Sequence, residues 1–252
     1  MHTTGIIVSV LAFLLDGLLV WRGSRNGLLR SFPLFYSYLV YAFCGSLCLY
    51  FIYWFAPQKY PSAYWIYFLV TILAEFMVLV EVSDQIFRPY PAIRHLGRAM
   101  TILISVGFGL FYILPAVVWS NYIDTAMFSF ALRASITKVV ILAGLFYLSH
   151  RFGSRLGKNV GGLMLGFSIY VAVGVALMAN ASAFGPSLYA QVFWVMVPLS
   201  FLLCLLVWTL SLWELVPAPV MRSPGVAARG ESTHLTLELT RFNDELSRFL
   251  RK

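Results

Sequence analysis

Charged residues are scarce in this chain. Lys, Arg, Asp and Glu together make up 11% of its 252 residues, whereas apolar residues make up 60%. Soluble domains have about 25% charged and about 45–50% apolar residues. The mean hydropathy of +0.82 departs in the same direction. This composition excludes an ordinary soluble domain and predicts an integral membrane protein whose first partner is the lipid bilayer.

The long apolar runs lack the alternation of polar and apolar residues that strands of a transmembrane barrel require. Seven runs are long enough for a helix to cross a hydrocarbon core of about 30 Å, which takes roughly 17–25 residues. The sequence therefore predicts an all-α integral membrane protein with a seven-transmembrane-helix bundle over residues 1–213. The predicted spans are Gly5–Trp21, Ser31–Phe55, Ser62–Phe87, Ala99–Trp119, Met127–Leu148, Val160–Ser182 and Ala190–Trp213.

Basic residues are nearly absent from every second loop between these spans. Three loops hold only Lys59 among them, and the basic residues of the alternate loops are Arg22, Arg25, Arg30, Arg88, Arg94, Arg98, Arg151, Arg155 and Lys158. Positive loops are retained on the cytoplasmic side, so we expect the N-terminus outside and the C-terminus in the cytoplasm of a cell membrane, inner or plasma. The formal net charge of +8 follows largely from this bias, and we expect no binding of nucleic acid.

Motifs for catalysis or cofactor binding are also missing. The four histidines, His2, His95, His150 and His234, lie outside the spans or at their ends, which leaves no His pair for haem inside the bundle. The sequence has no GxSxG or HExxH motif. Helix count and orientation resemble those of rhodopsins and G-protein-coupled receptors, but the seventh span has no lysine for retinal. We therefore expect no enzyme activity and no cofactor.

Cysteine is rare as well. Cys44, Cys48 and Cys204 all fall within predicted spans. A metal site needs more convergent ligands than these three provide, so no metal is predicted. Small apolar side chains that fill the bundle are the more typical use of such cysteines.

Four ionisable residues interrupt the apolar runs. Asp16, Glu75 and Lys138 each lie about 11 residues into spans that run from outside to inside, which places them about 16 Å deep. Arg133 lies about a turn and a half above Lys138. An unpaired charge at the bilayer centre costs about 2.5–3.5 kcal/mol on insertion scales, so these residues should face inwards and find partners. All four are predicted candidates for ligand or ion binding.

Depth and opposite charge predict that Glu75 pairs with Lys138. Asp16 is expected to be a second acceptor, or a neighbour that keeps one of the two acids protonated, because two close carboxylates rarely both ionise. Such a polar centre can serve only to fix helix packing, or it can bind a cation, a proton or a polar ligand group. Glu81 is predicted to belong instead to a solvated cluster near Arg88, two turns further on.

Small residues and one proline mark the last two spans as packing elements. Gly162 and Gly166 form a GxxxG pair in the sixth span, which allows a close approach of another helix. Packing within the bundle is the expected use, and dimerisation is the alternative. Pro198 in the seventh span removes one backbone hydrogen bond and should kink the helix, either as a hinge or as a static bend.

The apolar character ends after residue 213. Residues 214–231 contain several prolines and glycines and predict a cytoplasmic linker. Residues 232–252 predict a short amphipathic helix that pairs in a homodimer, binds a cytoplasmic protein, lies on the membrane surface or packs on the bundle itself. Its apolar seam recurs at steps of four and three residues and consists of Leu235, Leu239, Phe242, Leu246 and Phe249.

Two functions are compatible with this layout. The preferred one is a receptor-like or scaffold protein, in which the charged centre holds the bundle and the tail helix engages a partner. Its support is the orientation, the tail and the missing catalytic motifs. The alternative is a small proton- or cation-coupled transporter that uses the midplane acids Asp16 and Glu75. The two halves of the chain show no internal repeat of the kind that many transporters have.

Overall fold

The computed structural model describes residues 3–88, 94–95, 97–99, 101–107, 123–151, 157–180, 186–214 and 241. Within these ranges the chain is almost entirely helical and contains no strand. The helices are α1 (Thr3–Arg25), α2 (Leu28–Ser31), α3 (Pro33–Phe55), α4 (Tyr60–Ile86), α5 (Ile123–Arg151), α6 (Lys158–Ala179) and α7 (Pro186–Ser211). A 3₁₀ turn at Pro57–Lys59 joins α3 to α4.

Within the described ranges, five helices are long and apolar enough to cross a membrane. The prediction of an all-helical chain compatible with a multi-pass membrane protein is confirmed at this level, whereas the count of seven and the orientation stay predictions. The first predicted span lies in α1, which is not among the five. Most of the fourth span and all five tail seam residues lie outside the described residues. The five candidates are Pro33–Phe55, Pro57–Ile86, Ser129–His150, Lys158–Ala179 and Gln191–Ser211.

The six long helices that the structure describes contact one another in chain order, and the last returns to the first. Contacts join α1 to α3, α3 to α4, α4 to α5, α5 to α6 and α6 to α7, and α7 returns to α1. A further contact joins α4 to α6. This order places α4, α5 and α6 side by side, so charged residues on α4 and α5 can meet in the interior.

Trp208 lies near the C-terminal end of α7, between α3 and α6, and is fully buried. Its ring lies 4.9 Å from the ring of Phe35 and 6.4 Å from that of Tyr38, both on α3, and 4.9 Å from that of Phe167 on α6. The indole Nε1 donates a hydrogen bond to the carbonyl oxygen of Leu163 over 3.2 Å. One side chain therefore joins three helices, and its single donor is satisfied, as a buried tryptophan requires.

The close approach of α6 and α7 depends on two glycines. A Cβ atom on Gly162 would lie 2.0 Å from the Cβ and Oγ atoms of Ser211, and one on Gly166 would lie 2.3 Å from Nε1 of Trp208. The GxxxG face therefore points at α7 inside the bundle and leaves no room there for a second copy. The other predicted packing residue, Pro198, lies within α7, which continues through it to Ser211.

The start of α3 is capped by a side chain from another helix. Glu81 of α4 is buried and accepts hydrogen bonds from the backbone N–H groups of Leu34 over 3.1 Å and Phe35 over 2.8 Å. The first residue of α3 is Pro33, which has no N–H, so Glu81 binds the first available donors at the positive end of the helix. The prediction of a solvated Glu81 is wrong, because its partners lie far away along the sequence and no local spacing rule detects them.

Two further contacts fix the same end of α4. Gln85 lies one turn after Glu81, and its Nε2 donates a hydrogen bond to the carbonyl oxygen of Ser31 over 2.8 Å. Asp84 forms a bidentate ion pair with Arg94, in which Nε lies 2.6 Å from Oδ1. Glu81 and Gln85 thus clamp the α2–α3 junction, whereas Asp84 lies in a more exposed pair.

We expect Glu81→Ala to lower the free energy of unfolding by about 1–3 kcal/mol, because two N–H groups at the start of α3, one buried and one partly buried, lose their acceptor. Glu81→Gln keeps one acceptor oxygen and should lose less. Asp84→Ala is the matched control, since it removes a carboxylate from a partly exposed ion pair that is worth about 1 kcal/mol or less. The measurement is unfolding of each variant in the same detergent. Equal losses from Glu81→Ala and Asp84→Ala would contradict the capping role.

Candidate functional site

Glu75 of α4 and Lys138 of α5 form an ion pair in the interior of the bundle. Lys138 Nζ donates a hydrogen bond to Glu75 Oε2. The side chain of Glu75 is 2% exposed and that of Lys138 is 4% exposed. The structure therefore brings together the two residues that depth and charge select as partners.

The local sequence directs both side chains into the core. Glu75 shares its face of α4 with buried apolar residues three, four and seven positions away, and Lys138 does the same on α5. Each charge thus interrupts an apolar stripe that faces a neighbouring helix. The residues that share these faces are Ile72, Val78, Leu79 and Val82 on α4, and Ala134, Ile141, Leu142 and Leu145 on α5.

Polar groups of three other helices surround the pair. Tyr38 of α3, Tyr170 of α6 and Cys204 of α7 all lie within electrostatic reach of Glu75. Tyr38 and Cys204 are buried, and Tyr170 is partly buried. Glu75 therefore has its counter-charge on α5 and further polar groups of α3, α6 and α7 within electrostatic reach.

Asp16 of α1 is also buried, but it makes no contact of this kind. Its Oδ1 atom has no hydrogen-bond partner among the residues that the structure describes. Tyr67 of α4 lies within its electrostatic reach. A lone buried carboxylate is costly in low-dielectric surroundings, and either a proton or a bound cation removes that cost. Asp16 is thus a separate polar position and not a second acceptor for Lys138.

Arg133 lies on an exposed face of α5, away from the pair. Five residues separate it from Lys138, which turns the two side chains about 140° apart around a helix. The four predicted site residues therefore do not form one cluster. Glu75 and Lys138 form an ion pair, and Arg133 is exposed. Asp16 is buried and forms no ion pair with another described residue.

The cysteines differ from one another. Cys204 is buried, as the sequence predicts, but Cys44 and Cys48 are exposed, so their prediction as buried fillers is wrong. Both lie on the outer face of α3, where lipid is as apolar an environment as a core. Among the described residues, no group of three or more His, Cys, Asp or Glu side chains could hold a metal ion.

No sequence motif predicts the polar cluster at the C-terminal end of α7. Arg22 Nε donates a hydrogen bond to the carbonyl oxygen of Trp213 over 3.0 Å, and its guanidinium lies 3.8 Å from the centre of the Trp213 ring. Asn159 Nδ2 donates to the carbonyl oxygens of Ser211 and Glu214 over 3.0 and 2.8 Å. These side chains satisfy carbonyl groups that a helix end leaves open. The distribution of basic loop residues predicts only that Arg22 lies on the cytoplasmic side, and it does not predict the contact of Arg22 with Trp213.

Comparison with known proteins adds no relative. No protein-family model matches the chain, and no curated protein or solved structure is significantly similar to it. Support for any function must therefore come from the geometry of this bundle itself.

Proposed function

We propose that the protein is a receptor-like or scaffold membrane protein without enzyme activity, in which the Glu75–Lys138 pair fixes α4 against α5. The proposal is supported by the observation that these two buried side chains pair with each other. Each charge is satisfied by the other, and both side chains are almost inaccessible. An exchangeable cation site would need a carboxylate that solute can reach, whereas Glu75 already holds an internal cation.

In this proposal the C-terminal tail is the segment that binds a partner. Residues 232–252, which the sequence predicts to be an amphipathic helix, would engage a cytoplasmic protein, a second copy or the membrane surface. Such a tail needs a bundle that holds it at a fixed position. The contacts of Arg22 and Asn159 with the end of α7 supply that anchoring just before the linker begins.

A transporter is the second candidate, and Asp16 is the observation that favours it. A buried carboxyl with an unpartnered oxygen is a natural place for a proton or a small cation. In this version Asp16 carries the transported charge. The Glu75–Lys138 pair stays closed and serves only as a structural neighbour.

Flux into proteoliposomes separates the two candidates. The scaffold proposal predicts that an imposed proton, sodium or potassium gradient drives no more flux than in protein-free liposomes. The transporter proposal predicts flux that Asp16→Asn abolishes and Asp84→Asn preserves, since Asp84 lies in a partly exposed ion pair at the end of α4. That second pattern would overturn the scaffold proposal.

A further inference from the structure

A groove of about 340 Å³ follows the outer face of α3 beside α2. Five of its lining residues follow one another at steps of one and three, which keeps them on one face of α3 in a stripe about 12 Å long. Its volume lies in the range of about 300–1,000 Å³ that small-molecule pockets occupy. The lining residues are Leu29, Tyr36, Ser37, Val40, Tyr41 and Cys44.

Neighbouring helices hold both walls of this groove in place. A Cβ atom on Gly23 of α1 would lie 2.1 Å from Cε1 of Tyr36, so the Tyr36 ring packs directly on the α1 backbone. Tyr41 stacks on Tyr67 of α4 with ring centroids 5.4 Å apart, and its hydroxyl donates to the Tyr67 carbonyl oxygen over 2.9 Å. The groove is therefore formed before any ligand arrives, which lowers the entropic cost of binding.

The floor of the groove is open to the surroundings of the bundle. Ser37, Val40 and Cys44 are exposed on the outer face of α3. They offer a mostly apolar surface with one hydroxyl. In a chain whose long helices are apolar enough to cross a membrane, the molecule that meets this face is lipid.

Exposed basic residues lie near the start of α3, whereas Glu81, the acidic residue that caps this helix, is buried. The chain contains no acidic residue between Asp16 and Glu75. Arg30 directly follows Leu29, which lines the groove, and the side chain of Arg30 is exposed. Arg25 is also exposed, and its guanidinium lies 4.7 Å from the ring centre of Trp21. An apolar groove with guanidinium groups beside one end complements a lipid that carries a negative headgroup.

We propose that this groove binds one anionic phospholipid, with an acyl chain along Val40 and Cys44 and the headgroup phosphate beside Arg25 and Arg30. The tyrosine walls hold the chain at a defined position on α3. The arginines select the headgroup by charge. The site is independent of the Glu75–Lys138 pair, so it stands whether the bundle is a scaffold or a transporter.

A lipid titration of the purified protein tests this site. The readout is the thermal midpoint in detergent against added phosphatidylglycerol or phosphatidylcholine, because a ligand that binds the native state raises the midpoint. Val40→Trp fills the groove, and Leu47→Trp is its control, since Leu47 is exposed on α3 but does not line the groove. Arg30→Gln removes a guanidinium at the groove, and Lys59→Gln removes one charge beyond the opposite end of α3.

We expect the wild type to be stabilised at lower concentrations of phosphatidylglycerol than of phosphatidylcholine. Val40→Trp should abolish this preference, and Arg30→Gln should weaken it about fivefold, the effect of one basic residue near an anionic surface. Leu47→Trp and Lys59→Gln should both keep it. Equal response of the wild type to both lipids would overturn the proposal, as would the same loss in a variant and its control. If Val40→Trp does not fold, the Arg30 and Lys59 pair decides alone.

Discussion

Lys138→Met lowers the free energy of unfolding by about 3–5 kcal/mol, the usual result of removing one member of a buried ion pair. The reason is that Glu75 keeps its buried position and loses the lysine with which it forms an ion pair. The measurement is unfolding in detergent, by thermal scan or denaturant titration. Lys59→Met is the control, because Lys59 is exposed in the turn between α3 and α4. A loss no larger than that of the control would show that the pair holds nothing together.

Glu75→Gln tests the same pair from the other side. Glutamine keeps an oxygen that can accept the hydrogen bond from Lys138 Nζ, but it removes the negative charge. We therefore expect a loss smaller than that of Lys138→Met. A clear loss from Glu75→Gln distinguishes an ion pair from a site where only side-chain volume matters, since this change hardly alters volume but leaves Lys138 buried without a counter-charge.

Trp208→Ala is the second large effect, with an expected loss of about 3–5 kcal/mol for deleting a buried tryptophan. The change removes ring contacts to α3 and α6 and the hydrogen bond to the Leu163 carbonyl oxygen. Trp54→Ala is the control, since Trp54 is 65% exposed at the opposite end of α3 and should lose little. Similar losses from both tryptophans would contradict the packing role of Trp208 between α3 and α6.

A double variant sharpens the test of Trp208. Gly166→Ala places its Cβ atom against Nε1 of Trp208, so alone it should be destabilising by about 1–3 kcal/mol through overpacking. In the Trp208→Ala background this space is vacant, so Gly166→Ala should lower the free energy of unfolding much less. Residues in contact couple in this way, whereas distant residues add. Simple additivity would show that Gly166 and Trp208 do not pack as described.

Composition and periodicity predict the class of the fold because lipid imposes a simple rule. Backbone groups without water must bond within their own helix, so long apolar runs become helices whatever their neighbours are. The runs containing Glu75 and Lys138 could be aligned by depth for the same reason. Their partnership follows from one further rule, that a charge in hydrocarbon needs a counter-charge at its own depth.

The order of the helices in space is not contained in these rules. Apolar faces of different helices are chemically alike, so no pattern shows that α4 lies between α3 and α5. The partners of Glu81 could not be predicted for this reason. They are backbone N–H groups of α3, which every residue except proline carries. Depth alone groups Arg133 with Lys138 in one predicted site. The two side chains are separated by their angle around the helix, which a comparison of depths does not take into account.

The central claim is that Glu75 and Lys138 stabilise the bundle as a pair, and a double-mutant cycle tests it most directly. Glu75→Gln, Lys138→Met and the double variant are unfolded in the same detergent beside the wild type. The pairing predicts that the double variant is more stable than Lys138→Met and comes within about 1 kcal/mol of the wild type, because neither buried charge remains. If the two losses simply add, Glu75 and Lys138 act separately and the proposed role of the pair is wrong.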